Sequence, residues 1–82
     1  MFRVGEVTHY YDKLNIAVIQ LDAGLSVGDI IKFVRGGEDL FSQKVESIQL
    51  EHDKVDFADR GTMIGIKTEK EVREGAEVFK VA

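Results

Sequence analysis

The chain has 82 residues, of which 44% are hydrophobic and 32% charged, so it is long enough for one domain with one core. Fifteen acidic residues against eleven basic ones give a formal charge of −4, which argues against a protein that binds DNA irrespective of its sequence. The absence of cysteine excludes a disulfide framework and a cysteine nucleophile. No stretch is apolar enough to cross a bilayer or direct secretion, so a single cytoplasmic domain over residues 1–82 is expected.

The first half of the chain predicts three strands separated by turns. Phe2–Tyr11 alternates with period two and carries no apolar stripe at helical spacing, so it is predicted as a strand. Residues 14–21 are rich in β-branched side chains, which favours a second strand. Ile30–Arg35 is predicted as the third strand. Gly36 and Gly37 end it, because consecutive glycines readily adopt the positive φ angles of a hairpin turn.

The second half predicts three more strands. Residues 41–50 form the fourth, with a mixed polarity pattern that is typical of a strand passing between two walls of a barrel. Residues 62–67 form the fifth, and Gly65 in its middle indicates a bulge or a close backbone approach. Residues 69–74 are predicted as a charged loop and residues 78–82 as the last strand. Short strands with glycine turns predict an all-β fold, and closure into a small barrel would remove exposed edges.

The sequence contains no recognisable catalytic or metal-binding constellation. His52 lies between Glu51 and Asp53, but neighbours on an extended chain point to opposite sides, so a solvated acidic turn is favoured over a metal site. The serines lack the context of a nucleophile elbow, and no glycine-rich phosphate loop is present. A small filled barrel also offers little concave volume for an active site. We therefore expect no enzymatic activity, no cofactor, no nucleotide and no metal.

Seven aromatic residues raise the alternative of nucleobase stacking. The five phenylalanines are expected mostly in the core, as large apolar residues of a small domain. Tyr10 and Tyr11 are neighbours on a strand, so one of them should be exposed, and burial and stacking both stay open for this pair. Four basic residues are candidates for a local positive patch: Arg3, Lys32, Arg35 and Lys44.

The chain as a whole resembles the β-barrel that forms the second domain of translational GTPases such as elongation factor Tu. Five segments carry this resemblance, in order: Val-Gly-Glu-Val at 4–7, Leu-Ser-Val-Gly-Asp-Ile-Ile at 25–31, Val-Glu-Ser-Ile-Gln at 45–49, Ala-Asp-Arg-Gly-Thr-Met-Ile-Gly-Ile at 58–66 and Val-Arg-Glu-Gly at 72–75. The resemblance implies a closed, six-stranded, antiparallel-rich barrel of the translation-factor type. Because that barrel helps to hold the aminoacylated end of tRNA, it also implies a non-catalytic module that contacts tRNA or ribosomal RNA.

The same resemblance implies a set of RNA-binding residues. Glu46 matches a glutamate that contacts the terminal adenosine, whereas Gln49 stands where the family has an arginine. Gly65 and Ile66 match a glycine and the apolar residue after it, and Lys67 stands where a pocket leucine is found. With the aromatic and basic candidates, the predicted set comprises Glu46, Gln49, Gly65, Ile66, Lys67, Tyr10, Tyr11 and Lys44.

Two segments are also similar to the C-terminal barrel of the collagenase-like peptidase family, whose members are linked to tRNA and ribosomal RNA hydroxylation. They are Gly-Glu-Val-Thr-His-Tyr-Tyr at 5–11 and Val-Glu-Ser-Ile-Gln-Leu-Glu-His at 45–52. The 82 residues do not include that family's large catalytic domain, so the resemblance implies binding rather than catalysis. The alternative function is an accessory subunit that docks on a partner of this type. A basic cluster beside the tyrosines would favour RNA, and an exposed apolar patch would favour a protein partner.

Overall fold

The computed structural model describes residues 1–81 as an all-β chain, which confirms the predicted class. Its strands are β1 (Phe2–Tyr11), β2 (Ile16–Leu21), β3 (Leu25–Ser26), β4 (Ile30–Arg35), β5 (Glu38–Lys44), β6 (Ile48–Leu50), β7 (Asp53–Val55), β8 (Phe57–Ala58), β9 (Met63–Lys67) and β10 (Glu77–Val81). Eight of them form one sheet in the order β5-β4-β10-β1-β2-β9-β6-β7, and β3 pairs with β8 in a second. Nowhere in these residues is there a helix that could span a membrane.

Two of the predicted strands have the expected bounds. β1 and β4 match, and the Gly36-Gly37 turn joins β4 to β5 with φ angles of 61° and 81°. A two-residue turn of this kind needs positive φ at both positions, which glycine adopts without strain. β2 begins two residues later than predicted because Asn15 turns the chain with a φ of 57°. Residue 82 of the predicted last strand lies outside the described residues.

The prediction of one strand over residues 41–50 is wrong. Its two ends belong to β5 and β6, which lie at opposite sides of the large sheet and are joined by residues 45–47. β6 turns back into β7 through a two-residue hairpin made by Glu51 and His52, whose φ angles are 52° and 73°. The mixed polarity of this segment therefore reflects a change of neighbouring strands within it.

The prediction of a closed six-stranded barrel is also wrong, because neither sheet of the described residues closes on itself. A side chain instead of a strand ladder links β5 to the end of β9 and to the residues that follow it. Gln43 Nε2 donates to the carbonyl of Lys67 at 2.9 Å, and Gln43 Oε1 accepts from the backbone N–H of Glu69 at 2.9 Å. Gln43 is only 5% exposed, so its carboxamide supplies partners for two backbone groups where the ladder is missing.

The core is formed by alternate residues of the central strands, as the period of a β-strand requires. Its largest fully buried side chains are Phe33, Ile19, Leu21, Leu25, Ile31, Ile48, Ile64 and Ile66. The expectation that phenylalanines are mostly buried is wrong for Phe2 and Phe57, which are about half exposed. Phe2 begins β1 and Phe57 begins β8. Exposed apolar side chains of this kind are common, because a small domain has too little polar surface to cover all of them.

Arg3 ties the first strand to other parts of the fold. Its Nε donates to Glu77 on β10 at 2.9 Å, and its terminal nitrogens contact Asp22 and Glu6. The hydrogen bond to Glu77 raises the pKa of Arg3. Because three carboxylates already balance this guanidinium, Arg3 acts as a structural contact between strands rather than as part of a basic patch.

Candidate functional site

A groove centred on Gly65 crosses the outer face of β2, β9 and β6. Cross-strand pairing places Val18 of β2 on one side of Gly65 and Gln49 of β6 on the other. Residues paired directly across neighbouring strands point to the same face, so these three positions share the outer face. Since Gly65 has no side chain, the surface is lowest at this point.

The groove consists of two adjoining hollows with volumes of about 570 and about 280 Å³. Both hollows are lined by Leu14, Ile16, Gln49 and Gly65, which makes them one continuous depression. We call it the Gly65 groove. Its complete lining is Tyr11, Leu14, Ile16, Val18, Ser47, Gln49, Glu51, His52, Lys54, Met63, Ile64, Gly65 and Lys67.

The larger hollow of the Gly65 groove is apolar and accessible. Tyr11, Leu14 and Met63 are 49%, 59% and 52% exposed, although each is a large side chain that gains from burial. A Cβ atom placed on Gly65 would lie 3.2 Å from Ile16 Cγ2, so the floor is open only because this residue is glycine. Several exposed apolar side chains in one concavity are typical of a surface that binds another molecule.

One end of the groove is cationic. Lys54 and Lys67 both line the smaller hollow, and within residues 1–81 neither lies within 4.0 Å of a carboxylate oxygen. Lys54 is paired with Gln49 across β6 and β7, and Lys67 lies two residues beyond Gly65 on β9. Both lysines therefore point to the outer face, and their charges are available to an anionic group bound there.

The larger hollow receives an acidic group and an imidazole from the turn between β6 and β7. Glu51 and His52 both have left-handed backbone angles, which cost a non-glycine residue roughly 1–2 kcal/mol each. Backbone strain of this kind is concentrated at functional sites in proteins. Residues 1–81 hold no group of three or more His, Asp or Glu side chains that could bind a metal ion.

Comparison with known proteins finds relatives that are longer than this chain. No family model matches it. An uncharacterized protease of Methanocaldococcus jannaschii is 33% identical over 76 residues, and a collagenase of Porphyromonas gingivalis is 30% identical over 78 residues. These matches cover 93% and 94% of this chain but 19% and 22% of the relatives. The chain thus spans about a fifth of the length of the curated relatives it matches.

The solved structures show which fold this is. A crystal structure of the C-terminal domain of a Geobacillus thermoleovorans protein classed with the U32 peptidases superposes with a TM-score of 0.90, over 99% of this chain and 93% of that domain, at 22% identity. The chain has the fold of a U32 peptidase C-terminal domain. A selenomethionine variant of that domain gives the same TM-score. The collagenase-like part of the predicted resemblance is confirmed, and the U32 fold is supported rather than the elongation factor Tu type.

Half of the residues predicted as an RNA site come together on this U32-type fold. The Gly65 groove contains four of the eight: Tyr11, Gln49, Gly65 and Lys67. Ile66 points to the opposite face of β9 and is fully buried, so its side chain belongs to the core. The alternation of β9 separates it from its two neighbours.

The other three predicted residues lie outside the groove lining. Tyr10 is half buried against the core, and its hydroxyl donates to Asn15 Oδ1 at 3.3 Å and accepts from Thr68 Oγ1 at 3.4 Å. Glu46 and Lys44 are exposed at the connection between β5 and β6. The hydrogen bonds of Tyr10 give it a structural role in holding the turn that follows β1.

The basic residues considered from the sequence do not form one patch. Lys32 and Arg35 lie on β4, three strands away from β2 in the sheet, and make polar contacts of 2.9 and 3.3 Å within the fold. The cationic end of the groove is formed by Lys67, which was predicted from the sequence, and by Lys54, which was not. Lys54 reaches this position only through the β6–β7 hairpin, which places it opposite Gln49.

Proposed function

We propose that this chain is a non-catalytic docking module that binds a partner protein of the U32 peptidase type through the Gly65 groove. The observation that supports this most is the apolar larger hollow of the groove, where Tyr11, Leu14 and Met63 are each about half exposed. Covering such side chains removes apolar surface from water, which is worth about 25 cal/mol per Å². Aromatic and methionine side chains at the centre of a concavity are also the usual anchors of protein interfaces.

The relatives indicate the type of partner. In the curated relatives the matching region is about a fifth of a longer protein, and in the Geobacillus protein it is the C-terminal domain. Domains that share one polypeptide commonly contact each other through an interface, and the Gly65 groove offers an apolar surface for one. We therefore take the partner to be the remaining portion of a U32-type protein, whether that portion is carried on the same polypeptide or on another.

Replacing Leu14 or Met63 with aspartate tests this function. Both side chains are more than half exposed, so either change should alter the free energy of unfolding by less than about 0.5 kcal/mol. Binding should weaken at least about tenfold, because a carboxylate would be buried in an apolar interface. The measurement is isothermal titration of the chain with a U32-type protein of the source organism, truncated before the region that matches this chain.

Leu40→Asp is the matched control for this titration. Leu40 is 39% exposed on β5 and lies outside the Gly65 groove, so the same change of chemistry there should leave binding unchanged. The docking proposal would be contradicted if Leu14→Asp bound as tightly as the unchanged chain, or if Leu40→Asp lost as much affinity as Leu14→Asp.

RNA binding is a second candidate function, and it is the role that the resemblance to elongation factor Tu implies. The observation that favours it is the pair Lys54 and Lys67, which have no carboxylate partner among residues 1–81, in a groove that also presents Tyr11. The total charge of −4 opposes it. Labelled tRNA titrated at low and at physiological salt separates the two functions. Binding that falls with salt and is lost when both lysines become glutamate would favour RNA, and no binding at either salt would exclude it.

A further inference from the structure

We propose that the Gly65 groove binds an extended segment of its partner and recognises two side chains of that segment. One is apolar and lies over Gly65; the other is acidic, stands two positions away in the segment, and lies beside Lys54 and Lys67. This inference rests on the proposed docking function and adds the chemistry of the segment that is bound. The recognised sequence is then three residues long: an apolar residue, any residue, and Asp or Glu. The segment can run in either direction along β9.

The apolar position follows from the unusual placement of Gly65. Five other glycines have positive φ angles between 61° and 98°, so the backbone itself requires glycine there: Gly28, Gly36, Gly37, Gly61 and Gly75. Gly65 has an ordinary strand conformation, and the pairing of β9 with β2 continues through it without a register shift. Glycine in a strand interior lowers stability and often marks a close approach by another molecule.

The space above Gly65 has the lining of an apolar subsite. A Cβ atom there would meet Ile16 Cγ2 at 3.2 Å and Gln49 Cβ at 4.0 Å, so a side chain entering from outside contacts the same carbon atoms. Leu14 and Met63 stand beside it with more than half of their surface exposed. An aliphatic side chain placed over Gly65 therefore covers apolar surface on the β2 side of the strand and the Cβ atom of Gln49 on the other.

The acidic position follows from the spacing along a strand. Same-facing residues of an extended chain recur every two positions, which is about 7 Å. Lys67 lies two residues beyond Gly65 on β9, and Lys54 lines the same smaller hollow. A segment that runs along β9 thus brings its next same-facing side chain to these two lysines. Lys32 and Lys80, in contrast, already have carboxylate partners at 2.9 and 3.2 Å.

Selection from a display library of random seven-residue peptides tests this pattern. The unchanged chain should enrich peptides in which an apolar residue and Asp or Glu stand two positions apart. A double variant, Lys54→Glu with Lys67→Glu, should enrich Lys or Arg at that second position instead, because the charge of the hollow is reversed. Changing the acidic residue of a selected peptide to lysine should weaken its affinity for the unchanged chain at least about tenfold.

The outcomes separate this inference from the docking function. Peptides that lose binding to Leu14→Asp but show no preference for an acid two positions from the apolar residue would overturn the inference and leave the docking function supported. Failure to select any peptide that depends on Leu14 would overturn both. Reversal of the selected charge by the double variant, with an unchanged melting temperature, would support both.

Discussion

Replacing Gln43 with leucine should lower the free energy of unfolding by about 1–3 kcal/mol, because two hydrogen bonds to partly buried backbone groups are lost, each with a net worth of about 0.5–1.5 kcal/mol. Leucine fills a similar volume but can neither donate to the Lys67 carbonyl nor accept from the Glu69 N–H, both of which Gln43 contacts at 2.9 Å. These two bonds hold β5 to the end of β9 and to the residues that follow it, where no strand ladder exists. Urea denaturation followed by circular dichroism measures the loss.

Gln49→Leu is the matched control because it makes the same chemical change at an exposed position of the Gly65 groove. It should change the free energy of unfolding by less than about 0.5 kcal/mol. If the two variants lost the same stability, the carboxamide of Gln43 would not be the link that holds this side of the fold together.

Gly5→Ala should destabilise the chain by about 3 kcal/mol, which is the upper part of the range for overpacking a well-filled site. The added Cβ would lie 2.5 Å from the Gln20 carbonyl oxygen and 2.8 Å from Ile19 Cγ2. The Gln20 oxygen belongs to the backbone of β2, which is paired with β1 on one side and β9 on the other. β2 cannot move away without breaking one of these ladders.

Gly65→Ala separates this steric effect from the general effect of replacing a glycine. Gly65 and Gly5 both lie in strands with ordinary φ angles, but the new Cβ at Gly65 meets no backbone atom: it lies 3.2 Å from the methyl group Ile16 Cγ2 and 4.0 Å from Gln49 Cβ. Its stability should therefore stay within about 1 kcal/mol of the unchanged chain, since alanine is also better tolerated in strands. Equal losses for the two variants in chemical denaturation would contradict the close approach of β1 and β2.

The strands with strong local signals could be predicted from the sequence. β1 and β4 have the predicted bounds because no apolar stripe at helical spacing runs through one and two glycines end the other. The Gly36-Gly37 turn was recognisable since both residues favour the φ angles that the turn needs. The loop over residues 69–74 is likewise free of helix and strand, as its charge predicted.

The β6–β7 hairpin could not be predicted, because its turn residues are Glu51 and His52 rather than glycine or asparagine. Without this turn, residues 41–50 read as one strand and Lys54 reads as part of a loop. The open sheet was missed for a related reason. Sequence patterns predict strand ladders, whereas the link from β5 to the end of β9 and the residues that follow it is made by the side chain of Gln43.

The candidate site was predicted only in part. Gln49, Gly65 and Lys67 followed from the resemblance to known barrels and do lie together in the groove. The exposed apolar residues Leu14 and Met63 were missed, since a single strand pattern does not show which neighbours share its outer face. Leu14 lies in the turn before β2 and Met63 is paired with Gln20, so only the tertiary fold brings the two to one groove.

A partner protein that occupies the Gly65 groove must change the surroundings of the residues that line it. The most direct measurement is the change in backbone amide signals when ¹⁵N-labelled chain is titrated with the truncated U32-type protein. We predict that signals of residues 11–18, 47–54 and 63–67 shift or broaden, while those of the β4–β5 hairpin stay unchanged. Changes centred on the β4–β5 hairpin, with the groove signals unaffected, would contradict the account.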